Sequence, residues 1–162
     1  MTINWIVFAC LAMALSSALV AGVFQSFSDF VMRALVATEP SAGIESMQMI
    51  NRTVFRSVFL VMLLGLAPAS LILGAYAYLY LPGSSASWIL AGGAVYVVSV
   101  FLVTMLGNVP MNNRLDRMGT TSAAAADYWQ EYGVVWTRWN HVRTLGALAA
   151  AIFFLAAAVS VD

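Results

Sequence analysis

The run SVFLVMLLGLAPASLILGAYAYLYL, residues 57–81, contains no charged side chain. A helix rises about 1.5 Å per residue, so a run of this length crosses the roughly 30 Å of hydrocarbon in a bilayer. Working outward, three more uncharged runs meet the same requirement, at residues 3–24, 88–107 and, somewhat shorter, 145–161. Short connections set sequential helices side by side. The expected architecture is therefore one domain over residues 1–162, an all-α, antiparallel four-helix bundle integral to the membrane, with helices extending into the cytoplasmic interface. The first run has no positive residue ahead of it and no small-x-small site at its end, so it reads as a retained helix and not a signal peptide.

Composition excludes other classes. Hydrophobic residues make up 62% of the 162 positions and charged residues 9%, with a mean hydropathy of +0.89. A soluble domain carries nearer half apolar and a quarter charged side chains, and could not cover so much apolar surface. Seven Arg and no Lys balance seven Asp and Glu, which leaves no basic excess for a nucleic acid. The single cysteine, Cys10, lies in the first apolar run; it can form no intrachain disulfide and reads as a small packed residue.

The arginines fix an expected orientation. Arg33, Arg52 and Arg56 flank the connection between the first two runs, and Arg114, Arg117, Arg138 and Arg143 lie between the last two. The connection at 82–87 and both termini carry none. Positive residues favour the cytoplasmic side, so both long connections should face the cytoplasm, with both termini and the short turn outside, as in a multi-pass protein of the cell inner membrane.

The long connections look ordered. Ser41 and Glu45, followed by Met47, Ile50, Val54 and Val58, read as a helix start and an amphipathic stretch running into the second span. Thr120, Thr121 and Ser122 offer caps for a helix that continues toward the last span, with Gly133 as a candidate break. Pro68 is expected to kink the second span, and Pro82 with Gly83 to make the outer turn.

Just past the cytoplasmic end of each span, polar and aromatic residues accumulate. Gln25, Ser28, Asp29 and Arg33 follow the first, while Gln48, Asn51, Arg52 and Arg56 precede the second. Asn108, Asn112 and Asn113 follow the third, and Trp136, Trp139, Asn140, His141 and Arg143 precede the fourth. The bilayer sets one depth for all four ends, so Asp29, Asn51, Asn112 and Asn140 are expected to meet in a shared polar space. Gln25, Asp29 and Arg33 are spaced by four, which lines one helix face and lets Asp29 pair with Arg33. Trp129, Tyr132, Trp136, Trp139 and Arg143 form a stripe, either a pocket wall or an interfacial aromatic belt. The asparagines can equally be helix caps. His141 has a side chain suited to proton transfer near neutral pH and Asp29 is the other candidate base, whereas one histidine with no cysteine nearby gives no protein-held metal site. Periodicity puts His141 about 100° around the helix from Asn140, at the pocket edge or toward a neighbouring helix. No span holds a midplane Asp, Glu, Lys, Arg or His, which argues against a proton pump or voltage sensor.

Four segments carry a family resemblance: GVFQSFSDFVM at 22–32, MQMIN at 47–51, GNVPMNNRL at 107–115 and WTRWNHVRT at 136–144. In that order they resemble the anthrone oxygenase-like family of small four-helix membrane proteins, long described as a domain of unknown function. The resemblance implies O2-dependent oxidation of a flat, lipophilic aromatic substrate from the bilayer, a monooxygenase-type reaction with O2 as co-substrate and no flavin or metal. A haem or metal shared with a partner stays open, as does the oligomeric state. Carried onto this chain, it points to Gln25, Ser28, Asn51, Asn108, Asn112, Trp136, Trp139, Asn140 and Arg143 as substrate-binding residues. His141 and Asp29 are the candidate catalytic bases on chemical grounds. The alternative is a non-catalytic helper that binds lipid or a small molecule and whose polar layer only holds the bundle together.

Overall fold

A computed structural model describes residues 5–161 and contains five helices and no strand among them. Four are long and apolar enough to cross a membrane, as in a multi-pass membrane protein: α1, Trp5–Val36; α3, Val58–Tyr80; α4, Ser84–Asp116; and α5, Ala123–Val159. The fifth, α2, Pro40–Thr53, is amphipathic and lies between α1 and α3 in sequence. Within the bundle α5 is central, packing most extensively on α1 and then on α4; α3 packs on α4 and α1.

The 37 residues of α5 make a rod of about 55 Å, well beyond the hydrocarbon thickness. Its N-terminal part, with the C-terminal parts of α1 and α4, projects past the bilayer at the arginine-bearing end, and α2 covers this projection. Two separate cores result. Inside the apolar spans, Cys10, Ala21, Ala77, Tyr96, Ala147, Ala150 and Phe154 are buried together. Lipid is as apolar as a leucine side chain, so helices there gain by close approach of small residues. Gly146 shows this: a Cβ there would collide with Ser99 on α4. In the projection the core is larger-grained, built from Met32, Ile44, Met47, Leu115, Tyr128, Trp129, Tyr132 and Trp136, as water exclusion favours.

Several expected local features take a different form. Ser122 caps α5 by accepting from the Ala125 N–H at 3.2 Å, but α5 runs unbroken through Gly133. Packing favours that glycine, because a Cβ would lie 2.9 Å from Val36 Cγ2, which would have to shift. The amphipathic helix does not run into the second span. It starts at Pro40 behind Glu39 and ends in a 3-10 turn at Val54–Arg56; Ser57 is then extended and caps α3 through the Leu60 N–H. Helix α3 continues through Pro68, and Gly83, at φ +82°, makes the turn into α4. Asp29 and Arg33 form no ion pair; the ion pair among the described residues joins Arg52 to Asp116 at 2.8 Å.

Three π-helical turns mark the bundle: Phe27–Val31 in α1 and Thr104–Asn108 in α4 near its polar end, and Val97–Leu102 at the middle of α4. The last abuts Pro110, which has no N–H for the ladder, and the Val109 N–H reaches back five residues to the Thr104 carbonyl. In an α-helix residues four apart drift by about 40°, and a wider turn reverses that drift. Thr104, Asn108 and Asn112 consequently all address α5.

Candidate functional site

The polar residues at the arginine-bearing end divide into an inner layer and an outer groove. The inner layer is built on the face of α5 that carries Tyr132, Trp136, Asn140 and Arg143, all buried. Asn112 Oδ1 accepts from both the Tyr132 hydroxyl at 2.7 Å and Trp136 Nε1 at 2.9 Å. Asn108, one turn along α4, donates to the Trp136 carbonyl at 3.2 Å. Asn140 Nδ2 donates to the Phe24 carbonyl and to Ser28 Oγ, each at 2.6 Å, tying α5 to α1.

Arg143 is the unusual member. Its guanidinium is buried, and no carboxylate contacts it among the described residues. It donates through Nη2 to Asn140 Oδ1 and through Nη1 to Thr104 Oγ1 at 3.4 Å. The faces of Phe24 and Trp136 lie 4.2 and 5.2 Å from its central carbon. Neutral dipoles and ring faces solvate the cation in part. Three buried atoms of this layer have no hydrogen-bond partner among the described residues: Arg143 Nε, Asn108 Oδ1 and Asn51 Nδ2, the last beside the Tyr132 hydroxyl. Each is a vacant donor or acceptor that water or a ligand could fill.

The aromatic stripe is interior rather than an interfacial belt. Trp129, Tyr132 and Trp136 stack in sequence at centroid spacings of 5.5 and 6.1 Å, and Phe27 of α1 lies against Trp136. Trp139 departs from them. It is 42% exposed and faces outward, with one side over Gly107, where a Cβ would meet its ring at 3.1 Å.

The outer groove lies along the seam of α1 and α5, with a volume of about 520 Å³, inside the usual range for small-molecule sites. Gln25, Ser28, Asp29 and Arg33 line it from α1, and Thr137 and His141 from α5. Gly133 forms part of its floor. Asp29 and His141, which are exposed, thus share one space, and neither enters the inner layer. Asn51 and Asn112 meet at the Tyr132 hydroxyl, while Asn140 lies two turns along the same face of α5 and bonds to Phe24 and Ser28 instead; Asp29 lies outside because its face of α1 turns toward the seam. Ser28 belongs to both regions, since it lines the groove while its Oγ accepts from Asn140.

Some contributors were not singled out from sequence. Thr104 sits inside an apolar span, and its one signal is a spacing of four from Asn108. Gln48 was read only as one of a polar group, yet its Nε2 donates to the Leu115 and Met118 carbonyls at 2.9 and 3.0 Å, satisfying the frayed end of α4.

No curated protein and no solved structure matches the chain. A family model described as Anthrone oxygenase matches residues 52–153, which take in α3, α4 and most of α5, including Thr104, Asn108, Asn112 and the segment from Trp136 to Arg143. With well over half of its length matched, this chain belongs to the anthrone oxygenase family.

Proposed function

We propose that the protein is an oxidoreductase that uses O2 to oxidise a flat, lipophilic phenolic substrate bound in the groove between α1 and α5. The observation that carries this reading is the pairing, in one groove, of two candidate bases, Asp29 and His141, with a serine hydroxyl linked through Asn140 to a buried cation. Arg143 donates to Asn140 Oδ1, and Asn140 donates to Ser28 Oγ. The Ser28 hydrogen is then free to point into the groove. Positive charge at the far end of such a chain strengthens that O–H as a donor.

The chemistry follows from these roles. His141 or Asp29 takes an acidic C–H proton from the ring system, and the negative charge spreads onto the ring oxygen, which Ser28 stabilises as a donor. The electron-rich carbanion reduces O2 and forms a C–O bond, and the peroxide oxygen is protonated. Loss of one water leaves a ketone, so one CH2 and one O2 become one C=O and one H2O. The reading invokes no protein-held metal or flavin.

A second reading is favoured by the saturation of much of the inner layer. Asn112, Asn140, Tyr132 and Trp136 already bond to one another or to backbone, which suits a binding protein whose layer holds the bundle. Oxygen uptake separates the two. Purified protein given anthrone should consume O2 and yield the ketone at the same rate with and without a chelator; binding without O2 consumption would favour the helper.

The seven arginines further support an inner-membrane location with both termini and the α3–α4 turn outside. Ser84→Cys, placed in a Cys10→Ala background, should react with an impermeant thiol reagent from outside intact cells. Reaction only after permeabilisation inverts the orientation.

A further inference from the structure

The groove holding Asp29 and His141 does not end at Gln25. A second groove of about 630 Å³ starts at that residue and runs up the bundle between the same two helices, past Ala14, Ala18 and Gly22 of α1 and Leu148, Ala151 and Leu155 of α5. Gln25 lines both. The steps along α1 from Ala14 through Ala18, Gly22 and Gln25 to Asp29 are three or four residues, so both grooves occupy one face of that helix. The steps on α5 from Thr137 through His141, Leu148 and Ala151 to Leu155 keep the same period. One trough therefore follows the seam, and its apolar part, from Leu11 to Gln25, is about 21 Å long.

Its chemistry changes at Gln25. Below lie Ser28, Asp29, Arg33 and His141; above lie only aliphatic side chains and glycine. Small residues hold the upper part open, and a Cβ on Gly22 would meet nothing within 4 Å. The lower part carries one fixed negative and one fixed positive charge, Asp29 and Arg33, which suits a neutral polar head better than a phosphate.

We infer that the substrate is a neutral amphiphile, a phenolic ring system with a hydrocarbon side chain, whose ring occupies the polar groove and whose chain lies in the apolar groove above it. This rests on the proposed reading of the polar groove as the ring site, and it names the class of molecule that the site takes. The chain sets the depth of the ring, bringing the acidic C–H to the level of Asp29 and His141, and the substrate enters sideways from the bilayer without leaving lipid.

The test uses the full chain in phosphatidylcholine nanodiscs without O2, so that binding is read apart from turnover. Anthrone and 2-dodecylanthrone are compared, each corrected for uptake by empty nanodiscs. Wild-type protein should bind the dodecyl compound more tightly than anthrone. Ala18→Phe and, independently, Gly22→Leu should weaken the dodecyl compound on the order of tenfold, the scale of overfilling a packed site, and leave anthrone unchanged. Both positions are exposed, which makes the larger side chains compatible with folding. If both compounds bind the wild type equally and the variants change neither, bilayer lipid fills the upper groove and the inference is overturned. Failure of both compounds to bind the wild type would instead remove the ring site itself, and the inference with it.

Discussion

The two sides of α5 near its middle use polar residues in opposite ways. On the inner side Asn112 and Asn140 are engaged by Tyr132, Trp136, Phe24 and Arg143, and the contacts join α5 to α4 and α1. On the outer side Asp29 and His141 are exposed, take part in no ion pair among the described residues and face an open groove. Buried polar groups must be spent on one another, because each left unpaired costs free energy. Groups at a helix seam stay available for something else. The difference teaches that neither richness in polar residues nor spare hydrogen-bond capacity, which the buried Arg143 Nε and Asn108 Oδ1 also have, marks the proposed reacting surface; access from an open groove does, and Ser28 is where the two sides meet.

That link gives the largest expected effect. Ser28→Ala removes the donor from the groove but leaves Asn140 its bond to the Phe24 carbonyl, so the fold should persist. Turnover should fall by about 10²–10³, the usual cost of losing one donor to a developing oxyanion. Normal turnover in the folded variant would disconnect the inner layer from the chemistry. Next in size is the base. His141→Gln should lower turnover by about 10² with an unchanged melting temperature. Should Asp29→Asn carry that loss while His141→Gln does not, the role passes to Asp29; full activity in both removes side-chain general-base catalysis from the groove.

How much of this was legible in the sequence depends on which physical constraint acts. The four spans are plain because the bilayer demands about 20 uncharged residues wherever the chain crosses it. The gathering of Asn51 and Asn112 at Tyr132 is legible for the same reason, since a common depth aligns helix ends. Rotation about each helix axis is not fixed by depth. The spacing places His141 away from Asn140, but only the packing of α1 against α5 turns Asp29 to the same seam. The π turns that bring Thr104 into line with Asn108 have no sequence mark beyond Pro110. The break at Ser57 was hidden because Val54 and Val58 keep the helical apolar period across it, while the backbone between them tightens into a 3-10 turn.

The inner layer should respond to substitution mainly in stability. Asn112→Leu strands the Tyr132 hydroxyl and the Trp136 N–H, each otherwise satisfied by one oxygen. A buried donor left without a partner costs about 1–3 kcal/mol. Thermal unfolding in detergent should show the loss clearly, while turnover per folded molecule stays near the parent value. A variant that keeps its melting temperature but loses turnover would move Asn112 from the scaffold to the substrate site and blur the contrast between the two sides.

The smallest effect is expected where polar contact is most conspicuous. Arg52 and Asp116 form a 2.8 Å ion pair between α2 and α4, yet their side chains are 57% and 42% exposed. Water already solvates both charges well, and holding two flexible side chains together costs entropy, so an exposed pair of this kind contributes about 0–1 kcal/mol. Gln48, buried between the same helices and bonded to two carbonyls, offers the comparison. A double-mutant cycle on Arg52→Ala and Asp116→Ala should return a coupling of roughly 0.5 kcal/mol or less that shrinks as salt is raised. Gln48→Leu should cost more, on the order of 1–3 kcal/mol, and respond little to salt, because it removes two buried bonds and leaves the Met118 carbonyl past the end of α4 without its donor. If the ion pair proves the stronger of the two, surface charge rather than buried hydrogen bonding fixes α2 under the bundle, and the polar layer above it is held by its cover instead of by its own bonds.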